Sequence, residues 1–374
     1  MFLHVYSKDL GEVFKTNIMH QTAFWSDVKS RLGMQSLAVN IRIRKTDIDP
    51  DADIFDYVMA DMLVLIQQVS ADYCVAYVPY GPEIDPGEDL RGSFLEDISE
   101  QLRSFLPVNC IMIRYDLTWQ SFWSTDSECF DPDGKWMGPP AVNTQEFRFN
   151  YGTHLWNIRK SASNLLPSNT VFVDLKPDTE NILAHMKSKT RYNIGLSMRK
   201  GVEIEIAAFE RLEQWYALYA QTAARNGFYL HDISYFKAVM LAQASDTQSP
   251  AEVLLLFAQH QGEALAAMFL VISGSRATYL YGASSDNKRE LMPTYALQWK
   301  AMEIAKACGC TEYDMFGVAP EYEQNHPMSG LNRFKLGFGG EVFHAMGCWD
   351  YPLIHDVYRY YTATEMGATG YHLN

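Results

Sequence analysis

Between Gly330 and Gly340 the chain reads Gly-Leu-Asn-Arg-Phe-Lys-Leu-Gly-Phe-Gly-Gly. One lysine, Lys335, stands between two aromatics, Phe334 and Phe338, in a stretch rich in glycine. Glycine lets a backbone approach a ligand closely. A lysine held there could steady an oxyanion or a phosphate. The plainer reading is a glycine-rich hairpin with its lysine in water. Two stretches carry bases and no acid: residues 181–200, with Lys187, Lys189, Arg191, Arg199 and Lys200, and residues 325–340, with Arg333 and Lys335. Such a run is ordinarily a solvated helix face. In a chain whose formal net charge is −14, two of them favour a phosphate-bearing ligand. Asp116 follows an apolar run and reads either as a polar site residue or as a strand-end aspartate capping a turn.

The rest of the composition narrows the class. Apolar residues make up 48 % of 374 and charged residues 20 %, the balance of a folded chain and not of a disordered one. The first ten residues carry an acid and no long apolar run, so a signal peptide is not expected, and nothing approaches the length of a membrane span. A cytoplasmic location follows as an expectation. Six cysteines (Cys74, Cys110, Cys129, Cys308, Cys310, Cys348) show neither a CxxC pair nor a matching histidine spacing. Buried thiols are expected, with no disulfide, metal or cofactor.

Several elements must position these residues. Phe24, Trp25, Val28 and Leu32 recur at helical spacing before Gly33. A strand is expected at 37–43, a helix at 53–69, a strand at 74–78, a helix at 93–105 and a strand at 110–115 closed by Asp116. Residues 117–168 have weak periodicity and read as long connections. A strand at 170–175, a single helix at 179–200 and a strand at 202–208 follow. Two helices then lead into three strands whose turns are His260-Gln261-Gly262 and Ser273-Gly274-Ser275. A helix at 294–307 and a strand at 312–316 complete the order. That order is the layout of an N-acyltransferase: an α/β fold with a mixed sheet and helices on both faces. An echo runs through the chain. A strand ending Tyr80-Gly81, a helix, and a strand with Tyr115-Asp116 match a strand with Tyr281-Gly282, a helix, and a strand with Tyr313-Asp314. Two tandem acyltransferase-like (GNAT-like) domains are expected, 1–168 completed by 347–374, and 169–346.

A coenzyme A transferase of this fold needs a glycine-rich turn whose amides cradle a pyrophosphate at a helix N-terminus. The matching place, Arg289-Glu290-Leu291-Met292-Pro293-Thr294, has no glycine, carries an acid and loses an amide to Pro293. The usual acyl donor has no site there.

The segments Lys189-Thr-Arg191-Tyr-Asn193, Tyr279-Leu-Tyr281-Gly282-Ala283-Ser284, Tyr313-Asp314-Met-Phe-Gly317 and Phe334-Lys335-Leu-Gly337-Phe338-Gly339 resemble the Fem (FemABX) family. In the first half Gln21-Thr-Ala-Phe-Trp25-Ser-Asp-Val-Lys29 and Tyr80-Gly81-Pro82 resemble it too. The resemblance implies transfer of an aminoacyl group from aminoacyl-tRNA to an amine on the stem peptide of a UDP-linked or lipid-linked muropeptide, with peripheral membrane contact through a lipid-linked substrate. It implies that Lys335 and Phe334 serve the transfer step and that Lys29 binds the precursor's phosphates. Tyr281 and Tyr235 would line the precursor groove. Some members carry an arginine four residues before the latter; here the position is His231, followed by Asp232. Arg225 or the cluster of Lys187, Lys189 and Arg191 would then take the diphosphate, and that cluster is also the expected tRNA contact. The family's coiled-coil arm has no counterpart in the pattern. Two other readings stand beside this one: an acyltransferase of the same fold acting on a polysaccharide, lipid or small amine, and a non-catalytic binding module.

Overall fold

The computed structural model describes residues 1–49, 52–53, 55–319 and 329–367. In chain order the elements are β1 Leu3–Lys8, α1 Ala23–Arg31, β2 Gln35–Arg44, β3 Tyr57–Gln68, β4 Cys74–Val78, α2 Arg91–Leu102, β5 Cys110–Gln120, α3 Val142–Asn150 and β6 Arg159–Lys160. They continue with β7 Asn169–Asp174, α4 Thr179–His185, α5 Ser188–Arg199, β8 Glu203–Ala207, α6 Leu212–Asn226, α7 Ile233–Leu241, β9 Glu252–His260, β10 Glu263–Ser273 and β11 Arg276–Ser284. The last are α8 Pro293–Ala307, β12 Glu312–Gly317, α9 Ser329–Lys335, β13 Glu341–Pro352 and α10 His355–Gly367.

The described strands form one mixed sheet in the order β1-β2-β3-β4-β5-β13-β7-β12-β11-β10-β9-β8, with β6 also on β13. β13 is the seam. Its residues 341–344 pair with β7, and after a register shift between Ala345 and Gly347 the strand runs along β5. Two pairs are parallel, β4 with β5 and β11 with β12, and each is joined through a helix, α2 or α8. A parallel pair needs such a crossover. The repeat extends to side chains. Tyr115 hydroxyl meets Ser99 of α2 at 2.9 Å, and Tyr313 hydroxyl donates to Gln298 of α8 at 2.7 Å. The next residue in each copy, Asp116 or Asp314, is a buried acid.

Several expectations are corrected. Residues 57–68 form a strand and not a helix. In β3 the side chains of Met62, Val64 and Ile66 enter one core while Leu63 and Leu65 enter another. A strand covered on both faces reads as an unbroken apolar run, which periodicity cannot separate from a buried helix. The single helix expected over 179–200 is two. The chain leaves helical geometry at Met186 and Lys187, where the Lys187 amide donates to Gly337 carbonyl at 2.9 Å. β5 does not stop at Tyr115 but runs on to Gln120, so Asp116 lies inside a strand and caps no turn. The connections at 117–168 contain α3 and β6. The cysteines are free thiols, but Cys308 is exposed and not buried. No helix among the described residues is long and apolar enough to cross a membrane.

Candidate active site

The helix α1 joins the two halves. Thr22 caps it, accepting the Trp25 amide at 3.3 Å, and its apolar stripe of Phe24, Trp25 and Val28 shares a core with Trp215 of α6 and Phe236 of α7. Gln21, just before it, accepts from the Leu63 amide at 2.8 Å and donates to Pro79 carbonyl at 2.6 Å. This docking carries Lys29 across to the second half. Its Nζ lies 4.8 Å from the Trp25 ring and 5.4 Å from the Tyr235 ring. Tyr281 hydroxyl donates to Tyr235 hydroxyl at 2.9 Å, and His231 stacks on Tyr235 at 4.7 Å. Lys29, His231, Tyr235 and Tyr281 thus share one wall. Burial lowers the Lys29 ammonium to about 8 and raises the Tyr235 phenol to about 12. The half-buried Lys29 side chain makes no ion pair or hydrogen bond among the described residues. Arg225 is engaged elsewhere, donating to Asp286 at 2.8 Å and to Ser284 Oγ at 2.9 Å.

Lys335 ends α9 and is buried, so neither a glycine-rich hairpin nor a lysine in water describes it. Its Nζ donates to the carbonyls of Gly317 at 2.7 Å and Phe316 at 3.1 Å and lies 5.4 Å from the Tyr279 ring. Phe316 sits at φ 59°, in the left-handed region that a bulky residue rarely occupies. Burial lowers the Lys335 ammonium to about 7, and Asp314 opposes that shift. Phe334 packs on Tyr295 at 5.0 Å and Phe338 at 5.2 Å. At Gly337 a side chain would collide with Thr190 Oγ1, so the start of α5 lies directly on this segment. Lys187, Lys189 and Arg191 are exposed there, but Arg191 donates to the carbonyls of Ala184 and Met186 at the end of α4.

Asp116 is buried. Tyr77 hydroxyl and the Leu166 amide donate to its Oδ2, its Oδ1 has no partner, and burial raises its carboxyl. Among the described residues no hydrogen bond or ion pair joins it to Lys335. The acid whose charge reaches Lys335 is its counterpart Asp314, which the Tyr115-Asp116 and Tyr313-Asp314 echo pointed to without naming it as a site residue.

Sequence reasoning also missed His20, which lies between the two lysines. Its ring meets Trp25 at 4.5 Å and Tyr80 at 5.1 Å edge-on, and stacks on Phe316 at 6.1 Å. Burial, with the nearby Lys29 charge, lowers it to about 3, so it is neutral at working pH. A lone histidine before Gln21 offers no local signal; its surroundings come from three distant segments. At the turn before α8 the glycine-free chain takes left-handed φ at Lys288 (50°) and Met292 (55°), and Pro293 occupies the first helical position.

The FemAB family profile matches residues 17–247 and 241–365. Lipid II:glycine glycyltransferase of Staphylococcus haemolyticus is 23 % identical over 259 residues, 53 % of this chain and 62 % of that protein. The protein of the same name from Staphylococcus aureus is 22 % identical over 261 residues, with the same two shares. The match therefore spans less than two thirds of these relatives. The crystal structure of FemX superposes with a TM-score of 0.69 at 17 % identity, covering 96 % of this chain and 100 % of that one.

Proposed function

The chain belongs to the FemAB family, and from that premise we propose that it transfers an aminoacyl group from aminoacyl-tRNA to an amine on the stem peptide of a peptidoglycan precursor, building an interpeptide bridge. One observation carries the reading. Lys29 of the first half and Lys335 of the second are bridged by one aromatic cluster, in which His20 feels the Lys29 charge and stacks on Phe316, whose carbonyl accepts from Lys335. A half-buried lysine for a diphosphate and a buried one for an oxyanion are the two parts such a transfer needs.

The amine nitrogen attacks the ester carbonyl carbon and the C–N bond forms. The bond to the tRNA ribose oxygen breaks, and the proton lost by the amine ends on that oxygen. An ester becomes an amide, so the step runs downhill once the amine is neutral and placed. Lys335 faces the developing negative charge; Lys29 anchors the precursor's phosphates beside Tyr235, Tyr281 and His231. With Arg225 held by Asp286 and Arg191 bound to α4, Lys29 is left as the chief cation for the diphosphate. Lys187 and Lys189 would contact the tRNA. The same reading takes residues 1–168 with 347–374, and 169–346, as two acyltransferase units working at the cytoplasmic face of the membrane, where a lipid-linked precursor is reached. The names of the staphylococcal relatives favour that precursor, and glycine as the transferred residue.

The test is direct. Purified protein with charged total tRNA and lipid-linked precursor should give a stem peptide heavier by one aminoacyl residue, and ribonuclease should abolish the gain. Transfer from an acyl-coenzyme A instead would overturn the reading; the glycine-free turn before α8 argues against it.

A further inference from the structure

His20 is 3 % exposed, and its Nε2 has no hydrogen-bond partner. A buried polar atom left unpaired costs stability that an apolar ring in the same place would not. Three aromatic rings, Trp25, Tyr80 and Phe316, already surround it. Phenylalanine would serve packing alone better. No group among the described residues satisfies that nitrogen, and it is closed to solvent here, so a ligand reaches it only as the surrounding rings turn aside.

Its place says which part of a ligand. On one side is Lys29, close enough for its charge to disfavour a protonated His20. On the other is Phe316, whose carbonyl accepts from Lys335 at 3.1 Å. A ligand anchored by phosphate at Lys29 and reacting at Lys335 passes His20 with what lies between its two ends, a peptide arm that ends in an amine. A neutral imidazole does not compete with Lys29 for phosphate, but it exchanges hydrogen bonds with amide or amine N–H groups. Tyr80, half-buried beside His20, offers an aromatic surface to the alkyl chain of such an arm.

Resting on the aminoacyl-transfer reading above, we infer that His20 is a substrate-contacting residue: its Nε2 hydrogen-bonds the amine-bearing arm of the acceptor peptide and holds it between Lys29 and Lys335. This adds a recognition group for the acceptor at the junction of the two halves, separate from the phosphate clamp.

The full chain is compared with His20→Phe, His20→Leu and His20→Gln, using charged total tRNA and UDP-linked stem pentapeptide as probes. The apolar variants should melt no lower than wild type for phenylalanine and near it for leucine. Both should lose on the order of tenfold in kcat/KM for the pentapeptide, the effect of one hydrogen bond, with KM for charged tRNA unchanged. Glutamine keeps a hydrogen-bonding group near the position of Nε2 and should recover part of the loss. A packing role gives the reverse order, phenylalanine active and glutamine impaired. That order, or unchanged kcat/KM in all three, overturns the inference. Lys335→Met is run in parallel. If it abolishes transfer while the apolar His20 variants keep it, only the His20 inference fails; if wild type transfers nothing, the transfer reading fails and His20 falls with it.

Discussion

Lys335 Nζ donates to the Gly317 carbonyl at 2.7 Å, so the cation assigned to the transfer also holds the end of β12. The neighbouring Phe316 carbonyl is its second acceptor, and that residue carries the left-handed φ. An ammonium bound to two carbonyls is oriented in advance, and its third N–H remains for an oxyanion.

Lys335→Met should therefore have two separable effects. Leaving two carbonyls without their donor costs about 1–3 kcal/mol, partly offset by removing a buried cation, so the protein stays folded with a modestly lower Tm. Loss of one oxyanion contact lowers kcat by about 10²–10³. Thermal melts and single-turnover transfer separate the two. A lower Tm with wild-type kcat in the folded fraction would leave Lys335 a backbone clamp only.

Lys29 should act on binding, and with a pH limb. Its ammonium titrates near 8, so it is charged below that pH and loses its charge as pH rises through it. KM for the precursor is expected to be lowest below pH 8 and to climb above it. Lys29→Arg should push that climb beyond the tested range, because guanidinium stays charged. Lys29→Ala should raise KM more than it lowers kcat, the mark of uniform binding. Steady-state kinetics from pH 6.5 to about 9.5 decide it: kcat falls in every form as Lys335 loses its charge, so a kcat lower in Lys29→Ala than in wild type at the same pH, with KM unchanged, places Lys29 in the chemistry.

His20 also predicts an acid sensitivity. Its folded value, about 3, lies below the unfolded 6.5, so between the two the unfolded chain binds more protons and stability rises with pH. The contribution is fully present above pH 6.5 and is lost progressively as pH falls toward 3. In His20→Phe that part of the slope should vanish. Urea melts at pH 4.5 and 7 measure it, and equal pH dependence in the two proteins would contradict burial of a neutral ring.

What could be read from residues alone follows locality. The α1 stripe, the β9–β11 meander with its glycine turns and the crossover ending in Tyr313-Asp314 are local patterns, and they stand as read. The helix expected at 53–69 failed because β3 is apolar on both faces, a property of its neighbours β2 and β4. The break at Lys187 has no glycine or proline to mark it; it depends on Gly337, 150 positions on. The glycines at 337 and 340 suggested a loop, yet they permit close approach, to Thr190 and to Phe172 carbonyl, beside a short helix. Family-like spacing pointed to Lys29, Tyr235 and Tyr281, which lie together on one wall, and to the buried Lys335. It could not find His20, whose environment is assembled from Trp25, Tyr80 and Phe316.

The last prediction concerns the tRNA. A net charge of −14 gives little long-range attraction to nucleic acid, so contact must be local. Lys187 and Lys189 are exposed beside the Lys335 segment, tied to it by the bond from Lys187 amide to Gly337 carbonyl. Arg191 is different, since its guanidinium closes the end of α4, and removing it would disturb that helix as well as any phosphate contact. The informative variant is therefore Lys187→Ala with Lys189→Ala, leaving Arg191 in place. Each phosphate contact adds about 0.7–0.9 to the magnitude of the slope of log K against log salt, so the double variant should flatten it by roughly 1.5–2. Filter binding of charged tRNA from low to moderate salt reads this. Binding of UDP-linked stem pentapeptide should stay as in wild type, because Lys29 provides its charge. An unchanged slope makes the two lysines a solvated helix face. A loss of pentapeptide binding instead would mean that the start of α5, and not Lys29 alone, holds the diphosphate left without an arginine at His231.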